Sequence, residues 1–193
     1  MTQWIPGVDA DFVWVVPGLA VGAQPSRQQM HRLKLHGIDA LLSVRAEDDP
    51  EDSPYTAKRL GLRYQRVVVA DSIPIPLDAL EEIACIVHDW RKEGLGVLIH
   101  CQAGRRRGPI AIAAVLVDEG WSVSAALRRI TQARKQTAPT PDQVLSLRRF
   151  AIRRCHHRVI YALHDVWHLS ASRASPLHSP ANTLVKQHFK LHR

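Results

Sequence analysis

The stretch that most restricts what this chain can become runs from Val97 to Gly120. Val97-Leu98-Ile99 is a short apolar run that reads as a buried strand, and it delivers His100 and Cys101 at its end. Five residues, Gln102-Ala103-Gly104-Arg105-Arg106, separate Cys101 from Arg107. Pro109 opens an apolar, alanine-rich stretch, and a helix is expected over 108–119 with Gly120 closing it. A strand, a tight loop and a helix start in that order belong to an α/β domain, whose parallel strands gather their loops at one sheet edge. Successive N–H groups of such a loop can point inward and join the orphan donors of the helix start, making a concave anion site. The same field favours the thiolate form of a cysteine placed there. Arg107 adds a planar fork able to hold two phosphate oxygens at once. A nucleophilic sulfur facing a bound phosphate suits phosphate-ester hydrolysis through a cysteinyl-phosphate.

The segment resembles the His-Cys-x5-Arg signature of the cysteine-based protein tyrosine phosphatases, specifically their dual-specificity branch, down to the Ala103-Gly104 pair. The resemblance begins earlier, at Gly22-Ala23-Gln24-Pro25-Ser26, a helix, then Gly37-Ile38 and a strand ending in Arg45. It ends at Thr140-Pro141-Asp142-Gln143, similar to the last conserved helix start of the family, and so covers about residues 12–150. It implies a central, mainly parallel sheet flanked by helices and a metal-independent phosphomonoesterase with no cofactor. Cys101 is then the nucleophile. Arg107 and the N–H groups of Gln102, Ala103, Gly104, Arg105 and Arg106 hold the phosphate, and His100 orients the loop, with Gln143 in a supporting place. One position departs from the family, which usually has Ser or Thr after the arginine to stabilise the departing thiolate. This chain has Gly108, followed by Pro109. Arg-Gly-Pro also resembles rhodanese-like cell-cycle phosphatases, and the lost hydroxyl leaves a silent phosphate-binding module as the competing class.

The remaining elements follow from pattern. Phe12–Val16 and Leu19–Ala23 read as a strand pair around Pro17-Gly18, and Ser26 caps a helix running to His36. Ile38–Val44 is expected as a buried strand, Glu47–Asp52 as a solvated acidic loop, Pro54 as the start of a short helix, and Arg63–Val69 as the next strand. Leu80, Ile83, Ala84, Val87 and Trp90 share one face of an amphipathic helix. Ser122 caps a further helix reaching about Lys135, and Thr140 with Gln143 has the form of a capping box. Ester cleavage needs a proton on the departing oxygen. Asp71, in a proline-stiffened loop at a strand's end, is the candidate donor, since the family takes its acid from a loop at about this separation before the cysteine. Asp78 competes, although the first turn of a helix suits it to dipole capping.

Charge divides the chain. Residues 148–193 carry nine basic residues against Asp165 alone, together with seven of the eleven histidines, so the net charge of +8 resides there. The expected organisation is a catalytic domain over 1–150 and a basic tail over 151–193, helical to about 169 and disordered beyond. In that helix Ile152, Cys155, Val159, Ala162, Leu163 and Val166 share a face opposite Arg153, Arg154, His157 and Arg158. Packing of the apolar face on the domain competes with contact to an anionic membrane or to nucleic acid. His156 with His157, or His164 with His168 at helical spacing, have the form of metal-ligand pairs, but with Asp165 and Cys155 as the further donors nearby no metal site is expected. Arg105 and Arg106 either face solvent or serve a substrate with more than one phosphate, such as a phosphoinositide, an inositol polyphosphate or an RNA 5′ end, and a phosphorylated protein stands beside these as the expected substrate. The longest apolar run, Ile110–Val117, has eight residues, far short of a membrane span. Three scattered cysteines and the absence of a basic-then-apolar leader make a reducing cytoplasm the expected location.

Overall fold

Residues 9–46, 54–71 and 74–155 are described by a computed structural model of the chain. In chain order the elements are β1 (Phe12–Val16), β2 (Leu19–Ala23), α1 (Arg27–Leu33) with a 3-10 turn over Lys34–His36, β3 (Ala40–Ser43) and α2 (Pro54–Arg59). They continue with β4 (Arg63–Arg66), α3 (Leu77–Lys92), β5 (Val97–Cys101), α4 (Arg107–Asp118), α5 (Val123–Ala133) and α6, described over 141–155. Two contact units divide the chain, Met1–Arg154 and Cys155–Arg193. All of the second but Cys155 lies outside the described residues, as do the expected acidic loop and the histidine pairs of the tail.

The five strands form one sheet in the order β1-β2-β5-β3-β4, parallel except for the antiparallel edge pair β1–β2. Side chains alternate between its faces, and that alternation builds two cores. Leu19, Val21, Ala40, Leu42, Val97, Ile99 and Cys101 join the larger core beneath α3, α4, α5 and α6. Ala20, Leu41 and Leu98 face the smaller one, with Met30 and Leu33 of α1 and Ala57 of α2. Helix α4 lies between the sheet and its neighbouring helices, which is why its residues are buried on every side from Arg107 to Val117. The five predicted inward residues of α3, Leu80, Ile83, Ala84, Val87 and Trp90, are all buried.

Local chemistry sets the helix starts. Ser26 accepts from the Gln29 N–H while the Gln29 amide accepts from the Ser26 N–H, and Thr140 and Gln143 make the same reciprocal pair. Helix α4 begins one residue before the expected 108. Pro109 occupies its third position, where no intrahelical donor is required. Strands β3 and β4 are shorter than the expected Ile38–Val44 and Arg63–Val69. Their ladder ends at Ser43 and Arg66, with a last bond from Val67 N–H to the Ser43 carbonyl, where the chains splay into the loops of the carboxyl edge. At the start of the tail helix the structure bears on which face meets the domain. Ile152 is 58% exposed and Cys155 is exposed, whereas Arg153 pairs with Asp78 and Glu81 and Arg154 with Asp118. At these positions the ionic face, rather than the apolar one, meets the domain.

Gly96 sets the register of β5 against β3. Its carbonyl accepts from the Asp39 and Ala40 N–H groups, and its own N–H donates to the Asp39 carboxylate. A Cβ at this position would lie 1.8 Å from the Gly37 carbonyl oxygen, a backbone atom that no rotamer change can move. Gly96→Ala is therefore expected to cost at least about 2 kcal/mol, the scale of core overpacking. A chemical-denaturation midpoint checks this, with Leu145→Ala at a 44% exposed site as the comparison that stays within about 0.5 kcal/mol.

Candidate active site

Strand β5 occupies the middle of the sheet, and its last residue, Cys101, is 3% exposed. Above the sulfur lies a cavity of about 230 Å³ lined by Asp71, Cys101, Gln102, Ala103 and the three arginines Arg105, Arg106 and Arg107. His100 is fully buried and points to the opposite face of β5 by the strand alternation, its carbonyl accepting from Val44 N–H.

The loop after Cys101 has a complete account of its carbonyls. Gln102 O accepts from Gln24 N–H at 3.2 Å, Arg105 O from Ala138 N–H at 2.8 Å, and Arg106 O from Ile110 N–H at 3.2 Å. Gly104 O accepts from Arg134 Nε at 2.9 Å and Ala103 O from Arg134 Nη2 at 3.2 Å. A trans peptide places its carbonyl and the following N–H on opposite sides. Carbonyls bound on the outside of the loop therefore turn the N–H groups of residues 103–106 the other way. Gly104 has φ +63°, and a Cβ there would meet the Gly22 carbonyl at 2.5 Å, so backbone conformation and space both demand glycine.

Arg107 is 3% exposed, and its Nη1 donates to the Val69 carbonyl at 2.9 Å. Its Nε lies 3.6 Å from one Asp71 oxygen, while Arg106 Nη1 lies 3.7 Å from the other. The structure thus brings Asp71 to the loop, held between two guanidiniums by ion pairs longer than hydrogen bonds. Asp78 is absent from the cavity lining; it is largely exposed and pairs with Arg153 at 3.0 Å. Gly108 stands in the first turn of α4, where a Cβ would lie 3.7 Å from the Cys101 sulfur and 3.3 Å from Val21 Cγ2. Gln143 is buried and makes its bonds with Thr140 at the start of α6, outside the cavity lining.

Sequence reasoning missed Arg134 and Asp11. Besides its two bonds to loop carbonyls, Arg134 donates to Asp11 through Nη1 at 2.8 Å and Nη2 at 2.7 Å. These hydrogen bonds hold the Asp11 carboxyl below the usual carboxylate value. Partial burial opposes the effect, and the charges of Arg134 and Arg105 add to it. Neither residue lies in a motif, and 123 positions separate them, so no local pattern signals the pair. Among the described residues no group of three or more His, Cys, Asp or Glu is placed to hold a metal, and no helix is long and apolar enough to cross a membrane.

With this geometry in hand, likeness to known proteins is informative. The family model "Dual specificity phosphatase, catalytic domain" matches residues 19–153. The human phosphatidylglycerophosphatase and protein-tyrosine phosphatase 1 is 29% identical over 140 residues, covering 69% of this chain and 70% of that protein. The crystal structure of PTPMT1 superposes with a TM-score of 0.70 at 21% identity, covering 77% of this chain and 98% of the other. PTPMT1 in complex with PI(5)P gives 0.69 at 20% identity, with 76% and 98% covered. At those identities the two structures speak for the fold, whereas the family match spans most of the chain and contains Cys101, Arg107 and the loop between them. The chain belongs to the dual specificity phosphatase catalytic-domain family and is a cysteine-dependent phosphatase.

Proposed function

We propose that the chain hydrolyses phosphate monoesters through a cysteinyl-phosphate at Cys101, on substrates whose phosphate sits beside further negative charge. The observation that carries this reading is the loop of residues 102–106, with every carbonyl bound on the outside around a buried cysteine. Arg107 and the inward N–H groups hold the three non-bridging oxygens, and the Cys101 thiolate attacks phosphorus. The S–P bond forms as the P–O bond to the leaving group breaks, and Asp71 gives its proton to the departing oxygen. Asp71 then takes a proton from water as that water attacks phosphorus, which releases inorganic phosphate and restores the thiolate. A phosphate on the Arg107 fork replaces Asp71 as its partner and leaves the carboxyl beside the leaving oxygen. His100, behind the loop on β5, supports the position of Cys101.

The substrate class is a phosphorylated lipid headgroup or inositol phosphate rather than a phosphoprotein. Arg105 and Arg106 are exposed at the cavity, adding two cations beyond the one a single phosphate requires. The relatives are named for both phosphatidylglycerophosphatase and protein-tyrosine phosphatase activity, and a related structure holds PI(5)P, so lipid phosphates are among the substrates of similar proteins. Three free cysteines suit a reducing compartment, and we place the chain in the cytoplasm.

Phosphate release in the presence of EDTA tests the reading directly. Wild type is expected to act on phosphatidylglycerophosphate and PI(5)P in mixed micelles in preference to a phosphotyrosyl peptide, and Cys101→Ser to abolish release from all of them. Release that survives the loss of the thiol, or a peptide preferred to both lipids, sinks the respective half of the proposal. Asp71→Asn is expected to slow phenyl phosphate by roughly 100-fold or more, the scale of lost general acid catalysis. An aryl phosphate whose leaving group needs no proton should suffer far less. Asp78→Asn should leave both rates near wild type, and the reverse pattern would transfer the role to Asp78.

Gly108 bears on the second step. Breaking the cysteinyl-phosphate makes the thiolate a leaving group, and no side-chain hydroxyl stands at this position to stabilise it. Hydrogen bonds to charged groups contribute about 1.5–3 kcal/mol, roughly a 10- to 150-fold rate effect. Rapid-quench kinetics with an aryl phosphate should therefore show a phenol burst near one equivalent, then a slow steady state. A Cβ 3.7 Å from the sulfur puts a serine hydroxyl within reach, so Gly108→Ser should raise the steady rate with little change in the burst. Gly108→Ala reports the tight Val21 contact alone, without the hydroxyl.

A further inference from the structure

Arg134 follows α5 and lies thirty residues beyond Gly104, yet its side chain is buried against the loop. One edge of its guanidinium spans two consecutive loop carbonyls, Gly104 O at 2.9 Å and Ala103 O at 3.2 Å. The other edge grips both oxygens of Asp11 at 2.8 and 2.7 Å. The carbonyls of Ala103 and Gly104 belong to the peptide units that carry the N–H groups of Gly104 and Arg105. Glycine is the residue around which a peptide unit turns over most readily. Turned over, either unit would aim a carbonyl oxygen, in place of an N–H, at the anion.

Asp11 is itself anchored, because its backbone carbonyl accepts from Ala23 N–H at 2.9 Å. The next residue, Gln24, donates its N–H to the Gln102 carbonyl. The β1–β2 edge therefore meets the loop twice, once through backbone and once through the Arg134 fork. Net charge does not account for the arrangement, since Asp11 offsets the guanidinium at hydrogen-bond distance. What remains is orientation, and a fork with two parallel donors on each edge suits arginine and not lysine.

We propose that Arg134, held by Asp11, is a positioning residue that keeps the Ala103–Arg105 peptide units turned for anion binding. The inference rests on the reading of this loop as the phosphate site. Its readout is the competitive inhibition constant of orthovanadate and of inorganic phosphate, measured beside kcat, KM and the urea midpoint. Arg134→Met should weaken both inhibitors by about tenfold or more, the effect of a lost hydrogen bond to a charged group, and should lower kcat. Arg134→Lys should recover more of the urea midpoint than of the inhibitor binding. Asp11→Asn, which still accepts one bond, should shift binding in the same direction but less. Arg32→Met, which breaks the Asp9 pair made from α1, supplies the control, with a lower midpoint and inhibition constants within about twofold of wild type.

If Arg134→Met does not fold, Arg134→Lys and Asp11→Asn carry the test through the same inhibition constants. Vanadate binding within about twofold of wild type in the folded variants overturns the positioning role while Cys101-dependent hydrolysis stands. Full recovery of binding by lysine overturns it too, because charge would then suffice. A wild type that binds neither anion overturns this inference together with the functional reading beneath it.

Discussion

Each peptide unit carries its carbonyl and its N–H on opposite sides, so a loop that presents N–H groups to an anion must find outside donors for its carbonyls. Much of this structure serves that requirement. The end of the β1–β2 hairpin supplies Gln24 N–H, the residue after α5 supplies the Arg134 guanidinium, the segment leading to α6 supplies Ala138 N–H, and α4 supplies Ile110 N–H. These donors come from parts of the chain that meet only because α4 is buried between the sheet and its neighbouring helices. Packing and the loop are thus one problem. A shift of α5 against α4 would be felt at Ala103 and Gly104 as a lost hydrogen bond.

The same economy governs the charges. Arg107 is immobilised by the Val69 carbonyl, two residues before Asp71, so the strand-end segment that brings the carboxylate also orients the cation facing it. Arg106 approaches the second oxygen of Asp71 from the loop itself. One carboxylate thus rests between two guanidiniums at the cavity. The site is therefore already arranged around one negative group.

The parts of this structure legible in the sequence are those written in short-range chemistry. The strand delivering Cys101, the five inward residues of α3 and the caps at Ser26, Ser122 and Thr140 each depend on residues within a few positions of one another. Asp71 was within reach because a parallel sheet gathers the loops of one edge, which its meeting with Arg107 agrees with. Arg134 and Asp11 were beyond reach, since their partnership exists only after a 123-residue separation is folded away. Which face of α6 meets the domain at Ile152 was open in the sequence for a related reason. Periodicity shows that a helix has an apolar side, whereas Asp78, Glu81 and Asp118 on α3 and α4 decide which side docks.

The rims of the sheet have a bearing on how the molecule behaves among its own copies. A parallel sheet with open sides invites another chain to add a strand, and both sides here are blunted. Strand β4 is only four residues long and carries an arginine at each end, Arg63 being tied to Glu93. Strand β1 loses regular register between Trp14 and Val16, where the ladder with β2 is irregular. Strands β5 and β3, whose residues are all buried, lie in the interior of the sheet, away from both rims. A short strand and an irregular one thus stand at the rims of the same sheet that places Cys101 at its centre.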